Sequence, residues 1–428
     1  MKVLVLGSGG REHALSWKIA QSNHCSELYI APGNPGTSQL GTNVNIAVSD
    51  FEGIAGLVRE KGIDLVVVGP EDPLVNGIRN FLSDNPVFAD LLVVGPGKEG
   101  AMLEGSKDFS KQFMMRHNIP TASFATFTAE TIENAYEFLE SMEAPYVLKA
   151  DGLAAGKGVI ISPDLSNAKA NLAEMLLEQK FGDASASVVI EEHLSGIELS
   201  VFVLTDGSDY LVLPEAKDYK RIGEGDTGLN TGGMGAVSPV PFANHEFMTK
   251  VEERVIKPTV NGLKSDAIDY RGFIFIGLMN VDGDPYVIEY NVRMGDPETQ
   301  AVIPRVKSDL LEILKATANN TLRDCSIEID PRTATTVVMV SGGYPGSYEK
   351  GNPIKGLDEQ SDEMVFQAGT RSENGDLVSN GGRVLAVTAL DEGISPALQR
   401  SYDRIATINW KDCYFRRDIG QDLLKIIA

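Results

Sequence analysis

One short strand-like segment near position 290 carries the residues best suited to chemistry. Side chains alternate between the two faces of a β-strand, so Glu289, Asn291 and Arg293 are predicted to share one face. Ile288 and Tyr290 are then expected on the opposite face. A carboxylate and an amide oxygen in this arrangement suit Mg²⁺ or Mn²⁺, and a neighbouring guanidinium suits phosphate. A half-exposed strand facing water is the alternative, and the carboxylates in the following turn count against it.

A second candidate segment is KADGLAAGKGV at 149–159. It differs from the P-loop that binds nucleotide phosphates, because its spacing is one residue short and a glycine replaces Ser or Thr. The segment joins two strand-like runs and is predicted to be a hairpin loop that folds over phosphate. An ordinary turn with solvated lysines is the alternative, and two lysines flanking three glycines favour the phosphate interpretation. The residues expected to contact phosphate are Lys149, Gly156, Lys157 and Gly158.

Two further segments give weaker signals. The apolar run 188–191 ends in a connector with Leu194 and Glu198, which can offer backbone groups to adenine and a carboxylate to ribose. Taken alone, that segment is better explained as an ordinary linker. The segment 223–235 holds six glycines, which is typical of a mobile loop closing on an anionic substrate. A disordered surface loop is the alternative, and the basic residues just upstream favour the functional interpretation.

The N-terminal segment GSGGREH is similar to a dinucleotide-binding fingerprint but departs from it twice. Glu12 stands in place of the third glycine, and the second strand ends without an acidic residue for a ribose hydroxyl. Binding of NAD is therefore not expected. The Gly9–Gly10 turn is still predicted to hold a monophosphate at the start of a helix.

The elements that must position these residues fall into three parts. Strand-like and helix-like runs alternate at 2–6, 12–22, 28–31, 65–69 and 91–95, which predicts a doubly wound parallel sheet in an α/β domain, residues 1–104. Residues 105–328 are predicted to form an α+β core with a small mobile lid at about 121–191. Residues 329–428 are predicted to form a β-rich closing domain.

Composition narrows the classes of function. The 428 residues carry a formal net charge of −22, so nucleic-acid and membrane partners are not expected. The three cysteines are far apart and the five histidines form no paired motif, which argues against disulfides and a zinc site. With no targeting segment recognised, a cytoplasmic location is expected.

Taken together, these segments resemble the ATP-grasp superfamily, and within it the glycinamide ribonucleotide synthetase (phosphoribosylamine–glycine ligase) family. The resemblance covers the whole chain, with Tyr290 and Met294 as apolar departures from the usual residues. The segments that carry it are GSGGREHAL at 7–15, GPEDPLVNGI at 69–78, KADGLAAGKGV at 149–159, DTGLNTGGMGA at 226–236 and IEYNVRMGDPETQ at 288–300.

The resemblance implies a magnesium- or manganese-dependent ligase of purine biosynthesis. ATP would phosphorylate the carboxylate of glycine, and the amine of 5-phosphoribosylamine would displace the phosphate. On the nucleotide side, Lys107 and Lys149 would contact the phosphates of ATP. Glu191 and Leu194 would meet adenine through their backbone, and Glu198 would meet the ribose.

The same resemblance assigns the remaining residues. Glu289 and Asn291 would hold the metal, and the residues assigned to catalysis are Arg293, Asp296 and Lys149. The residues assigned to the substrates are Gly9, Gly10, Glu71, Asp218, Asp296 and Arg383. A monomer is expected. The alternatives are another ATP-grasp ribonucleotide ligase or carboxylase that uses a different carboxylate, and a non-catalytic nucleotide-binding protein.

Overall fold

The computed structural model describes residues 1–153, 158–358 and 361–427. Two of the predicted phosphate contacts, Gly156 and Lys157, lie outside these ranges. Within them, no helix combines the length and apolarity needed to cross a bilayer.

The first hundred residues form the predicted doubly wound parallel sheet. Its elements are β1 (Lys2–Gly7), α1 (Gly10–Ile19), β2 (Glu27–Pro32), β3 (Thr42–Asn43), α2 (Phe51–Lys61), β4 (Leu65–Val68), α3 (Glu71–Val75), α4 (Ile78–Ser83), β5 (Leu92–Val94) and α5 (Lys98–Gly105). The strand order is β3-β2-β1-β4-β5, and all pairs are parallel. The order in which successive strands are added therefore reverses between β1 and β4, and sheets of this kind bind ligands at such a switch point, at the carboxyl ends of their strands.

The next segment forms a four-stranded antiparallel sheet with two helices packed on it. Its elements are α6 (Lys107–Arg116), β6 (Phe124–Thr128), α7 (Ile132–Glu140), β7 (Tyr146–Ala150), β8 (Val159–Ser162), α8 (Leu165–Leu176) and β9 (Ser187–Glu192). The strand order is β6-β9-β7-β8. Leu139 of α7 and Leu172 of α8 share an apolar cluster with Leu148 and Ile190 of the sheet, so this unit has a core of its own.

The central segment is built on a second antiparallel sheet. Its elements are β10 (Ile197–Thr205), β11 (Tyr210–Val212), β12 (Lys217–Asp218), β13 (Arg221–Gly223), β14 (Thr227–Asn230), β15 (Gly235–Ser238), α9 (His245–Val251), α10 (Lys257–Ser265), β16 (Gly272–Val281), β17 (Asp284–Asn291), α11 (Glu298–Val302) and α12 (Leu310–Ala318). One π-helical turn, Glu252–Ile256, connects α9 to α10. The sheet order is β11-β10-β16-β17, so β17 lies at its edge.

A β-bulge interrupts the alternation of side chains that was predicted along β17. Glu289 pairs with Gly277 and Val287 pairs with Leu278, which leaves Ile288 as the extra residue. Val287 therefore takes the core face with Tyr290, and Ile288 turns to the face that carries Glu289. The expectation that Ile288 shares a face with Tyr290 was wrong because the bulge shifts the alternation by one residue.

The last hundred residues form a β-rich unit whose sheet is completed from elsewhere in the chain. Its elements are β18 (Thr333–Val340), β19 (Met364–Gln367), β20 (Thr370–Glu373), β21 (Asp376–Ser379), β22 (Arg383–Asp391), α13 (Ile394–Thr407) and α14 (Gln421–Ile427). The sheet order is β12-β15-β18-β22-β19. Two of its five strands therefore come from the central segment, on either side of the hairpin of β13 and β14.

His13 lies where the first unit packs on the last one. Its Nδ1 accepts a hydrogen bond from the backbone N–H of Gln367 at 2.8 Å, and its ring meets the edge of Phe366 with 5.6 Å between the ring centroids. Burial lowers the pKa of His13 from 6.5 to about 4. The folded protein therefore holds this histidine neutral at neutral pH.

The first prediction concerns acid stability. Between pH 6.5 and 4 the unfolded chain binds a proton at His13 that the folded chain does not, so stability is lost as pH falls through this window. The loss from this residue is up to about 3 kcal/mol at pH 4. His13→Asn keeps an acceptor near Nδ1, and its free energy of unfolding should fall less steeply with pH than that of the wild type. The exposed His245→Asn is the control. Equal slopes in all three proteins would contradict the assignment.

Candidate active site

The Gly9–Gly10 turn follows β1 at the switch point of the parallel sheet. It lies against the loop after β17, which contains Asp296. The Glu12 carboxylate accepts a hydrogen bond from the backbone N–H of Gly9 at 2.7 Å, and Asp296 accepts one from Arg11 N–H at 3.0 Å. A Cβ at Gly69 would lie 2.2 Å from the Glu12 carboxylate, so that position must be glycine. Two N–H groups of the turn are thus already bound to carboxylates, which disagrees with the expected phosphate cradle and suits an amine instead.

Arg293 joins the central sheet to two helices of the first unit. Its guanidinium donates to Glu71 Oε2 at 3.1 Å and to Glu104 Oε1 at 2.6 Å. The other Glu104 oxygen accepts from the backbone N–H of Val292 at 2.8 Å. Burial disfavours the charge on Arg293, but the two carboxylates outweigh it and raise its pKa. Glu71, expected at the phosphoribosylamine, is thus a partner of Arg293.

Glu289 is a carboxylate placed among several cations without bonding to them. Among the described residues, neither it nor the Asn291 side chain takes part in a hydrogen bond or an ion pair. Burial works against ionisation, but Lys220, Lys149 and then Lys107 lower the pKa of Glu289. It is therefore an ionised carboxylate with its oxygens available to a ligand.

A small cleft lies beside Glu289 and gives the site its shape. The cleft is lined by Glu198, Ser200, Asp218, Lys220, Ile288 and Glu289 among others. Gly277 faces Glu289 across the strand pair, and a Cβ there would approach its side chain to 3.3 Å. The bulge and the glycine together leave Glu289 facing this cleft.

Lys149 connects the antiparallel sheet of β6 to β9 with strand β17. Its ammonium donates to the bulged carbonyl of Ile288 at 3.1 Å and lies 2.9 Å from Glu191 Oε1. Lys111 Nζ lies 2.9 Å from the other oxygen of Glu191. Lys107 donates to the carbonyl of Gly152 at 3.2 Å, at the foot of the glycine-rich hairpin. Three lysines are thus gathered where the sequence predicted phosphate contacts.

Glu191 lies within a central strand of this sheet, whereas the sequence predicted that its backbone would contact adenine. Its strand β9 lies between β6 and β7, with Glu191 opposite Phe124 on one side and Val147 on the other. The backbone of Glu191 is therefore inside the sheet, and the expectation that it meets adenine through its backbone disagrees with this register. Leu194 lies beyond the strand in the connector to β10, where the sheet does not hold it.

Two carboxyl groups flank Lys220 on the other side of the cleft. Lys220 Nζ lies 2.9 Å from Glu198, so the carboxylate expected at the ribose is paired within the protein. Burial raises the pKa of Asp218 despite Lys220, and burial together with Asp218 raises the pKa of Glu298 to about 7. Asp218 and Glu298 together therefore carry less than two negative charges at neutral pH.

Arg383, at the start of β22, connects the last unit to the site. It donates to the backbone carbonyls of Asp296 at 2.6 Å and Gly232 at 2.5 Å, and lies 3.3 Å from the Asp296 carboxylate. Burial opposes ionisation of Asp296, but Arg383 and Arg11 lower its pKa. Asp296 is thus an ionised carboxylate held at the point where all three parts of the chain meet.

The glycine-rich segment 223–235 is held by the C-terminal part of the chain. Arg416, 1% exposed, lies 2.6 Å from Asp226 in the β13–β14 turn and donates to the carbonyl of Arg221 at 3.1 Å. The Tyr344 hydroxyl accepts from Gly232 N–H at 3.0 Å. The segment therefore includes a hairpin that contacts the C-terminal part of the chain at its turn and near Gly232.

The sequence interpretation missed three residues of this site. Lys111 follows Lys107 by one helical turn, so the spacing alone places both on one face of α6 and could have revealed it. Glu104 finds Arg293 and Arg416 finds Asp226 about 190 residues away in the chain, and no local spacing marks these two pairs.

Comparisons with known proteins agree over the whole length. Residues 1–104 match the family description "Phosphoribosylglycinamide synthetase, N domain", residues 105–299 its "ATP-grasp (A) domain", and residues 334–422 its "C domain". The chain is 47% identical over 425 residues to the phosphoribosylamine–glycine ligase of Vibrio parahaemolyticus, with 98% of each chain covered. It is 46% identical over 426 residues to that of Escherichia coli O157:H7, again with 98% of each covered.

Solved structures give the same fold. A crystal structure of phosphoribosylamine–glycine ligase from Thermotoga maritima matches with a TM-score of 0.85 and 35% identity, covering 98% of this chain and all of the other. The biotin carboxylase of Campylobacter jejuni matches with a TM-score of 0.73 at 14% identity, covering 99% of this chain and 95% of that one. At that identity the likeness shows the fold alone.

The second prediction concerns the Arg293 contacts. Glu104→Gln removes the charge opposite a buried guanidinium and should lower the free energy of unfolding by about 2 kcal/mol. Glu99→Gln, on the exposed side of the same helix, should change it by less than about 0.5 kcal/mol. Urea unfolding at pH 7 compares the two, and equal effects would show that the Glu104 pair adds no stability.

Proposed function

The chain belongs to the phosphoribosylglycinamide synthetase family, and we propose from this that it is an ATP-dependent ligase joining glycine to 5-phosphoribosylamine. The products are glycinamide ribonucleotide, ADP and phosphate, in purine biosynthesis. The main support for the proposal is that Glu289, which has no hydrogen bond or ion pair among the described residues, lies among three cations from different parts of the fold. Lys149, Lys220 and Arg293 all act on its charge.

The nucleotide side of the proposal uses the lysines around Glu191. We assign Lys107 and Lys149 to the phosphates of ATP, since both ammonium groups lie beside the glycine-rich hairpin and beside Glu289. Gly158, at the end of that hairpin, belongs to the same contact. Leu194 in the connector offers its backbone to adenine, and Glu198 is assigned to the ribose.

Glu289 and Asn291 suit a Mg²⁺ or Mn²⁺ ion. Both side chains supply oxygen, and among the described residues no hydrogen bond occupies either one. Within the same ranges no cluster of three or more His, Cys, Asp or Glu side chains forms a metal site, so phosphate and water oxygens would complete the shell. A bound ion would supply charge neutralisation to the triphosphate.

The substrate side lies where the first unit, the loop after β17 and the start of β22 meet. The Gly9–Gly10 turn and Asp296 are assigned to the amine of phosphoribosylamine, because carboxylates rather than free N–H groups dominate there. Arg383 remains the candidate for its phosphate, and Asp218 for the ammonium group of glycine. Glu71 acts by holding Arg293.

The chemistry asks the protein for positioning and charge rather than a nucleophile. The carboxylate of glycine attacks the γ-phosphorus of ATP, and ADP leaves. Arg293 and Lys149 stabilise the negative charge on the transferring phosphoryl group. The amine then attacks the acyl carbon, phosphate leaves, and the amine loses one proton. The unit of β6 to β9 shields the acyl phosphate from water.

We also propose the domain division at 1–104, 105–328 and 329–428, a monomeric state and a cytoplasmic location. Small-molecule substrates, rather than nucleic acid or membrane, are the partners of this enzyme class.

The third prediction tests the function by omission of substrates. ADP release should require both glycine and freshly prepared phosphoribosylamine, and should fall to background when either is left out. Bicarbonate or formate in place of glycine should give background as well. Turnover that depends on one of these, and not on glycine, would establish a different ATP-dependent ligase.

The fourth prediction tests the metal assignment. Glu289→Gln should lower kcat/KM for MgATP about 100-fold while the fold survives, since one metal ligand loses its charge. Asp282→Asn, in the exposed turn before β17, should behave as the wild type. Turnover is measured over a Mg²⁺ titration, with circular dichroism to verify folding. Near-wild-type rates of the Glu289 variant at limiting Mg²⁺ would refute the assignment.

A further inference from the structure

Glu191 is a buried carboxylate whose charged contacts, within residues 1–153, 158–358 and 361–427, are two lysines. The exposed fractions of the side chains are 4% for Glu191, 2% for Lys111 and 6% for Lys149. Both ammonium groups lie 2.9 Å from it, one at each oxygen. One of the two cations is therefore in excess of what neutralises the carboxylate.

The two lysines are held very differently. Lys111 lies 2.9 Å from Glu191 Oε2, donates to Thr121 Oγ1 at 2.8 Å and reaches the carbonyl of Ala122 at 3.5 Å, so it has two hydrogen-bond acceptors besides the carboxylate. Thr121 in turn donates to the carbonyl of Val287 at 2.7 Å. Lys111 is thus fixed in place by both the sheet of β6 to β9 and strand β17.

Lys149 is held more loosely. It makes one hydrogen bond, to the carbonyl of Ile288, and its 2.9 Å approach to Glu191 Oε1 lacks hydrogen-bond alignment, since that oxygen has no hydrogen-bond partner among the described residues. An ammonium that faces a carboxylate without alignment is free to turn toward a stronger acceptor. A phosphate oxygen is such an acceptor.

We propose that Lys111 is a positioning residue that keeps Glu191 neutralised while Lys149 turns to the phosphates of ATP. The proposal rests on the assignment of Lys149 to ATP given above. A buried carboxylate that loses its only cation is strongly destabilised, so Lys149 can leave Glu191 only if Lys111 stays. Without Lys111, Glu191 would hold Lys149 and compete with the nucleotide for it.

The burial of Lys111 agrees with this assignment. Burial lowers its pKa to about 8, with Glu191 acting in the opposite direction. The residue therefore remains mostly protonated at neutral pH and supplies the required charge.

The fifth prediction separates this role from simple support of the fold. Lys111→Met should raise KM for ATP about tenfold, roughly 1.4 kcal/mol, with a smaller change in kcat. Lys111→Arg keeps the charge and should restore most of the affinity. Lys111→Met combined with Glu191→Gln should also recover, because no buried carboxylate is left to hold Lys149.

The measurements are steady-state kinetics in ATP at saturating glycine and phosphoribosylamine, with thermal unfolding of each variant. Recovery in the double variant supports the proposal. A double variant as weak as Lys111→Met, or an unchanged KM in Lys111→Met, overturns it. Lys149→Ala is measured alongside: if it leaves KM for ATP unchanged, the assignment of Lys149 to ATP fails first. If Lys111→Met does not fold, the comparison of Lys111→Arg with Glu191→Gln decides, and a loss of affinity in both would overturn the proposal.

Discussion

A buried guanidinium needs carboxylates around it, and Arg293 takes them from Glu71 and Glu104 of the first unit while it belongs to the central one. The ion pairs exist only when the two units are docked. Because Arg293 follows Glu289 and Asn291 directly along the chain, docking also fixes the end of the strand that carries them. The positions of the proposed metal ligands therefore depend on the contact between the two units.

Because the chain as a whole is acidic, the cluster of cations around Glu289 is stronger evidence for phosphate binding than it would be in a basic protein. With a net charge of −22, most of the surface repels phosphate. The fold gathers Lys107, Lys149, Lys220 and Arg293 around one carboxylate, so the cations act over short distances in a partly dry setting. The acidic surface repels a polyanion, and this cluster of buried cations attracts one.

Much of the fold could be predicted from the sequence, because apolar periodicity and glycine turns are local signals. The parallel sheet, the small α+β unit and the face shared by Glu289 and Asn291 were of this kind. The bulge at Ile288 was not, since it depends on the pairing with Gly277 and Leu278 across the sheet. The contact at Gly9 was not predictable for a related reason: Glu12 folds back on its own turn, and a motif does not show where a side chain returns.

The sheet that joins β15 to β18 has a consequence for how the protein is made. On the ribosome, β12 and β15 emerge long before β18, and at roughly 5–20 residues per second their partner follows only after several seconds. During that time β15 presents unpaired backbone groups, which are a template for pairing with other chains. The nascent chain is therefore open to misassembly from the emergence of β15 until β18 emerges to pair with it.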